Sequence, residues 1–240
     1  MAATPSNEIR LPEAAVTELQ EVDVAEWIDD HAIVVERASW NQMLSRYGFN
    51  DGPVGEINAR ADLFDLAKDA STDPASALRL LFNSLAWASR ETHRTTRLSV
   101  AKIADDPYDV CQLLQRAAAL SHTNPRRAYE LLYPRGRAVV ADLGPAVFTK
   151  YLYFAGGGDA EHPCCILDGN VALALQKTCG WLSLASHGWL APAYERYTAL
   201  LGTWVEEFGL SRRDVIERWL FEEGRRIRRC ARSSRDGEGT

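Results

Sequence analysis

Residues 135–175 read RGRAVVADLGPAVFTKYLYFAGGGDAEHPCCILDGNVALAL, and the fold turns on how this stretch is parsed. Arg137–Ala141 has the composition of a short helix. Asp142-Leu143-Gly144-Pro145 then makes a tight corner. Aspartate tolerates left-handed backbone better than most residues, and proline is at home at the first position of a helix. Pro145–Phe154 reads as a second helix carrying Lys150, and Gly156–Gly158 ends it as a C-cap and turn. Asp168, immediately before GNVALALQ, is placed to cap a third helix. An amine and a carboxylate thus stand behind a corner of the kind whose exposed N–H groups, beside a helix N-terminus, can hold a phosphate.

Outward from this stretch, helix signals dominate. Asp73-Pro74, Asp106-Pro107 and Asn124-Pro125 each pair a capping residue with a proline at the first helical position. The first opens PASALRLLFNSLAWAS, whose Leu78, Leu81, Phe82, Leu85 and Trp87 suit a buried face. Helices are also expected within 13–31, over Ser39–Tyr47, over 56–70, near Leu98–Ala104, in WLSLA at 181–185, and through PAYERYTALLGTWVEEFGL and SRRDVIERWLFEEGRRIRR, with Ser211 and Asp214 as a capping pair. Strand-like alternation is almost absent. The expected fold is an all-α domain of many short helices. Residues 1–52 are set off as an acidic arm with short helices, led by a disordered 1–12, before the turn-rich YGFNDGP; 53–224 form the main domain; and 225–240 form a basic, disordered tail.

Composition bounds the function. Nothing approaches the apolar run of about 18 residues that a membrane span needs, and no secretory signal is read at the start, so a cytoplasmic location is expected. The five cysteines form neither CxxC nor a zinc-spaced cluster, and no metal or organic cofactor is expected. GxxxxGK[ST], HExxH and GxSxG are all missing. The net charge of −6 conceals an asymmetry: residues 1–75 hold 15 acids against 5 bases, and the rest 18 against 22. A basic surface can therefore coexist with an acidic front. Arginines number 23 and lysines only 4, so a lysine among apolar residues, such as Lys150, draws attention as an amine.

Residues 136–175 resemble the helix–hairpin–helix DNA glycosylase superfamily, in the 8-oxoguanine DNA glycosylase branch. Arg137–Ala141 stands for the first helix, Asp142-Leu143-Gly144 for the Gly-apolar-Gly hairpin, Pro145–Phe154 for the second helix and Ile166-Leu167-Asp168 for the catalytic segment. The match has two departures: Asp142 replaces the first hairpin glycine, and Ala146 occupies the position of the family's lysine, one turn before Lys150.

The resemblance implies a protein that flips a modified base, a purine such as 8-oxoguanine, out of double-stranded DNA and cleaves its glycosidic bond. Leu143, Gly144 and Ala146 would meet the DNA backbone. Asp168 would stabilise the sugar cation, and Lys150 or water would be the nucleophile, the amine adding lyase activity. The chain is expected to act as a monomer, associated with the nucleoid if bacterial. Two plainer readings stand beside the catalytic one: Asp168 as a helix cap alone, and Lys150 as an amphipathic side chain reaching out of an apolar helix. A helix–hairpin–helix module that binds DNA or protein without catalysis is the alternative function. Phe82, Trp87, Trp181, His187 and Trp189 are candidates for a base pocket or for the core.

Overall fold

A computed structural model describes residues 9–89 and 93–237. Its helices are α1 (Glu13–Gln20), α2 (Arg37–Arg46), α3 (Arg60–Leu66), α4 (Pro74–Ser89), α5 (Arg94–Asp105), α6 (Pro107–Ser121), α7 (Pro125–Leu132), α8 (Pro145–Phe154), α9 (Gly169–Lys177), α10 (Ala191–Phe208) and α11 (Arg213–Gly237), with a π-turn at Ala25–Asp29 and a 3-10 turn at Pro134–Gly136. The expected all-α class holds. Two three-residue strands, β1 (Ala32–Val34) and β2 (Ile57–Ala59), pair antiparallel with Ile33 opposite Asn58. They are too short for alternation to reveal them, and β2 displaces the first turn of the helix expected from residue 56.

The capping signals act as read. Asp106 accepts from the Asp109 N–H and Asn124 from the Arg127 N–H, each with proline in the first turn. Asp73 Oδ2 accepts from the Ser76 N–H at 2.7 Å. Each satisfies a helix-end donor that would otherwise lack a partner. The apolar face of α4 buries Leu78, Leu81, Phe82, Leu85 and Trp87, and α4 packs on α6 and α8.

Three expectations are corrected. Arg137–Ala141 is not helical: Arg137 is extended (φ −124°, ψ 127°) directly after left-handed Arg135 and Gly136 (φ 53° and 78°), and the helix ahead of the corner is α7. WLSLA is a turn region following left-handed Gly180 rather than a helix. The basic segment from 225 is no disordered tail, because α11 runs on to Gly237; residues 238–240 lie outside the described residues.

Of the disordered lead expected over 1–12, residues 1–8 lie outside the described residues, whereas Leu11 is in the core. Ala15, Leu19, Ile28, Val35 and Trp40 join that same core, and α1 packs against α11. The turn-rich segment after α2 is tied to α4: Asn83 accepts from the Val54 N–H at 3.0 Å and donates to the Gly52 carbonyl.

α11 rests most extensively on α9. The crossing depends on Gly224, because a Cβ there would run into the Asn170 backbone at the start of α9. The element that Asp168 caps is therefore pinned by the C-terminal helix.

Candidate active site

The corner is built as its chemistry requires. Asp142 is left-handed (φ 62°), filling a glycine-like position. Leu143 is buried and donates its N–H to the Val140 carbonyl, so its side chain anchors the turn to the core. Gly144 is the N-cap of α8, with open space where a Cβ would stand, and Ala146 lies in the first turn.

One helical turn later, Lys150 projects from an otherwise apolar helix that buries Phe148, Tyr151, Leu152, Tyr153 and Phe154. Thr149 fastens α8 to the segment before Asp168, accepting from the Leu167 N–H and donating to the Pro145 carbonyl. Asp168 divides its two oxygens. Oδ1 caps α9, accepting from the Asn170 and Val171 N–H groups at 2.8 and 3.1 Å. Oδ2 lies 3.7 Å from Lys150 Nζ. Cap and ion-pair roles coexist in one carboxylate. Lys150 Nζ also donates to the Ala146 carbonyl at 2.7 Å.

Both side chains line two connected depressions. The deeper cleft, about 540 Å³, is walled by His31, Arg60, Trp87, Ile166, Glu217 and Phe221, with Arg225 at its edge. That volume is within the range of pockets for small organic ligands. A second groove, about 420 Å³, runs past Ala146, Val147, Thr95 and Thr96 to Arg228. Ala146 and Lys150 thus belong to the same surface, whereas Leu143 and Gly144 line neither depression.

Beneath the deeper cleft is a buried polar cluster that the sequence did not announce. Arg60, on the first turn of α3, donates through Nη1 to Tyr153 Oη at 2.8 Å and Glu217 Oε2 at 3.1 Å, and through Nε to His31 Nδ1 at 3.3 Å. Its guanidinium also faces the Trp87 and Tyr153 rings. Burial alone would lower its pKa, but Tyr153, Glu217 and Asp214 more than offset that and hold it charged. Tyr153 passes its own proton donor to Asp214, which Arg212 also grips. Asp214 is therefore engaged with the buried cluster rather than with Ser211 as a capping pair. Burial pushes the Glu217 carboxyl up to about 7, against the pull of Arg60. Breaking such a buried pair by removing one partner costs about 3–5 kcal/mol.

A signal for Glu217 did exist. Asp214, Glu217 and Phe221 recur at i, i+3 and i+7, so two carboxylates share the buried stripe of α11 with Leu220.

Of the aromatic candidates, Trp87 lines the cleft, and its buried Nε1–H has no hydrogen-bond acceptor among the described residues. Phe82 packs on Phe49 in the core, Trp181 lies under Arg196, Trp189 donates to the Ala185 carbonyl, and exposed His187 meets Ser186. Among the described residues, the cysteines are all free thiols and no side-chain group could hold a metal ion. No helix among them is long and apolar enough to cross a membrane.

The all-helical domain thus sets a lysine and an aspartate side by side at the wall of a cleft, behind a helix-capping corner. The family model described as "OGG: Putative 8-oxoguanine DNA glycosylase OGG-like protein" matches residues 26–221, most of the 240-residue chain, and the chain belongs to this family. No curated protein matches the chain, and no solved structure does.

Proposed function

We propose that this protein excises an oxidised purine, of the 8-oxoguanine type, from double-stranded DNA, with Asp168 and Lys150 as catalytic residues. The observation that carries this reading is the 3.7 Å approach of Lys150 Nζ to Asp168 Oδ2 at the wall of the deeper cleft. The target nucleotide swings out of the duplex and its base enters that cleft. Once Lys150 has released its ammonium proton to solvent, the free amine adds to C1′ of the sugar as the C1′–N9 bond breaks. The bonding pair leaves with the base, which takes a proton. Positive charge accumulating on the sugar faces the Asp168 carboxylate, whose position and partners are fixed beforehand by the α9 cap. The amine sheds a proton as the adduct forms, with Asp168 within reach to accept it, and protonation of O4′ opens the ring to a Schiff base.

The remaining groups of the cleft favour a purine with a guanine-like edge. When ionised, Glu217 offers an acceptor for a base N–H beside its contact with Arg60, and Trp87 lines the same cleft. Phe221 and Trp87 supply apolar walls.

Incubation with duplexes carrying 8-oxoguanine and other lesions tests this function; intact base in every duplex contradicts it. A second mechanism is favoured by one contact. The 2.7 Å hydrogen bond from Lys150 to Ala146 keeps the ammonium on its own helix, leaving Asp168 to activate water. Borohydride during turnover separates the two. A covalent adduct that disappears in Lys150→Ala supports the amine route, and base release without an adduct supports water.

A further inference from the structure

The family match ends at Phe221, yet α11 continues to Gly237, and residues 225–235 hold six arginines and no acid. This extension is docked against the site. Gly224 lets its backbone touch Asn170, and Arg228 Nη2 donates to the Gly169 carbonyl at 3.0 Å, directly beside Asp168. Arg225 lines the deeper cleft and Arg228 the adjoining groove. From there Arg228, Arg229 and Arg232 follow at the three- and four-residue spacings that keep side chains on one side of a helix. All three are exposed.

Arg225 and Arg226 pair with Glu222 and Glu223, but among the residues up to 233, whose side chains are described, no acid pairs with Arg228, Arg229 or Arg232. The Gly169 carbonyl positions Arg228 but leaves its charge uncompensated. An exposed cationic stripe leading out of the cleft matches a polyanion lying across it.

We propose that the C-terminal extension of α11 is a phosphate-binding arm, with Arg228, Arg229 and Arg232 gripping the DNA backbone beside the flipped nucleotide. The proposal rests on the glycosylase reading of the cleft and adds a contact outside the family's matched region. Residues 225–235 span about 15 Å of helix, equivalent to roughly four base-pair steps at 3.4 Å each. The arm carries no sequence information and sets register, because phosphates are the same at every base.

The test is DNA binding across a salt series for the full-length wild type, the triple variant Arg228→Gln/Arg229→Gln/Arg232→Gln, and a control, Arg116→Gln, an exposed arginine on α6 that lines neither depression. The triple variant is expected to bind lesion duplex at least about tenfold more weakly near 0.1 M salt. The slope of log affinity against log salt should become shallower by about two to three, since each lost phosphate contact removes close to one released counterion. The control should follow the wild type. A triple variant with wild-type affinity and slope overturns the arm while leaving the glycosylase reading intact. A wild type that neither binds DNA at low salt nor releases a base overturns both. Circular dichroism checks that the triple variant keeps its helix content, and a loss of affinity with an unchanged salt slope also counts against phosphate contact.

Discussion

At the residue scale, Asp168 does two separable things with its two oxygens. Oδ1 satisfies two N–H groups at the start of α9, and Oδ2 faces Lys150. Asparagine caps helices about as well as aspartate but carries no charge, so Asp168→Asn should keep most of the cap while Asp168→Ala loses about 1 kcal/mol. Urea unfolding of both variants checks this ordering. Glu217 offers a second prediction. With its carboxyl pushed up to about 7, the ionised form that accepts from a guanine-like edge fills as pH rises through 7. kcat/KM for a guanine-type lesion should therefore climb across pH 6–8, and Glu217→Gln should flatten that rise. A climb that persists in the glutamine variant assigns the titration to another group.

At the element scale, the close crossing of α9 and α11 positions the carboxylate. Gly224→Ala forces a methyl into the Asn170 backbone. It should cost about 1–3 kcal/mol as overpacking and slow base release as well, because the displaced helix carries the Asp168 cap. Unfolding and single-turnover assays on the same variant read the two effects, and a wild-type rate would show that Asp168 is held independently of α11.

The elements were legible to unequal degrees. Asp73, Asp106 and Asn124 announced their helices because cap and proline are local chemistry. Arg137–Ala141 misled because its composition favours helix while the break comes from Arg135 and Gly136 just before it. The Lys150–Asp168 pair was readable from the corner onward. The Arg60–Tyr153–Asp214–Glu217 cluster was legible only as two carboxylates on one stripe of α11, since its partners lie as many as 157 residues apart and meet only through tertiary packing.

At the scale of the whole molecule, two buried groups pull stability in opposite directions with pH. Burial lowers His162 from 6.5 to about 4, where its Nε2 meets the Leu152 carbonyl and its ring fills the space that Gly156 leaves. A histidine kept neutral in the fold contributes stability that is present above 6.5 and lost as pH falls toward 4. Glu217, raised from 4.5 to about 7, does the reverse: the fold binds its proton more tightly than the unfolded chain, and that stability is lost as pH rises toward 7. The two slopes oppose between pH 4.5 and 6.5. Urea unfolding in that window should show stability rising with pH in Glu217→Gln and falling with pH in His162→Gln, with the wild type flatter than either. Equal slopes in all three would contradict both assignments.

The joining of α9, α11 and the buried cluster around one cleft leads to the most direct measurement, single-turnover release of 8-oxoguanine from a duplex by the wild type and by Asp168→Asn. The wild type is predicted to release the base, and the variant, with its cap retained, to do so about 10²–10⁴-fold more slowly. Intact base with the wild type, or equal rates for the two proteins, would contradict a catalytic Asp168.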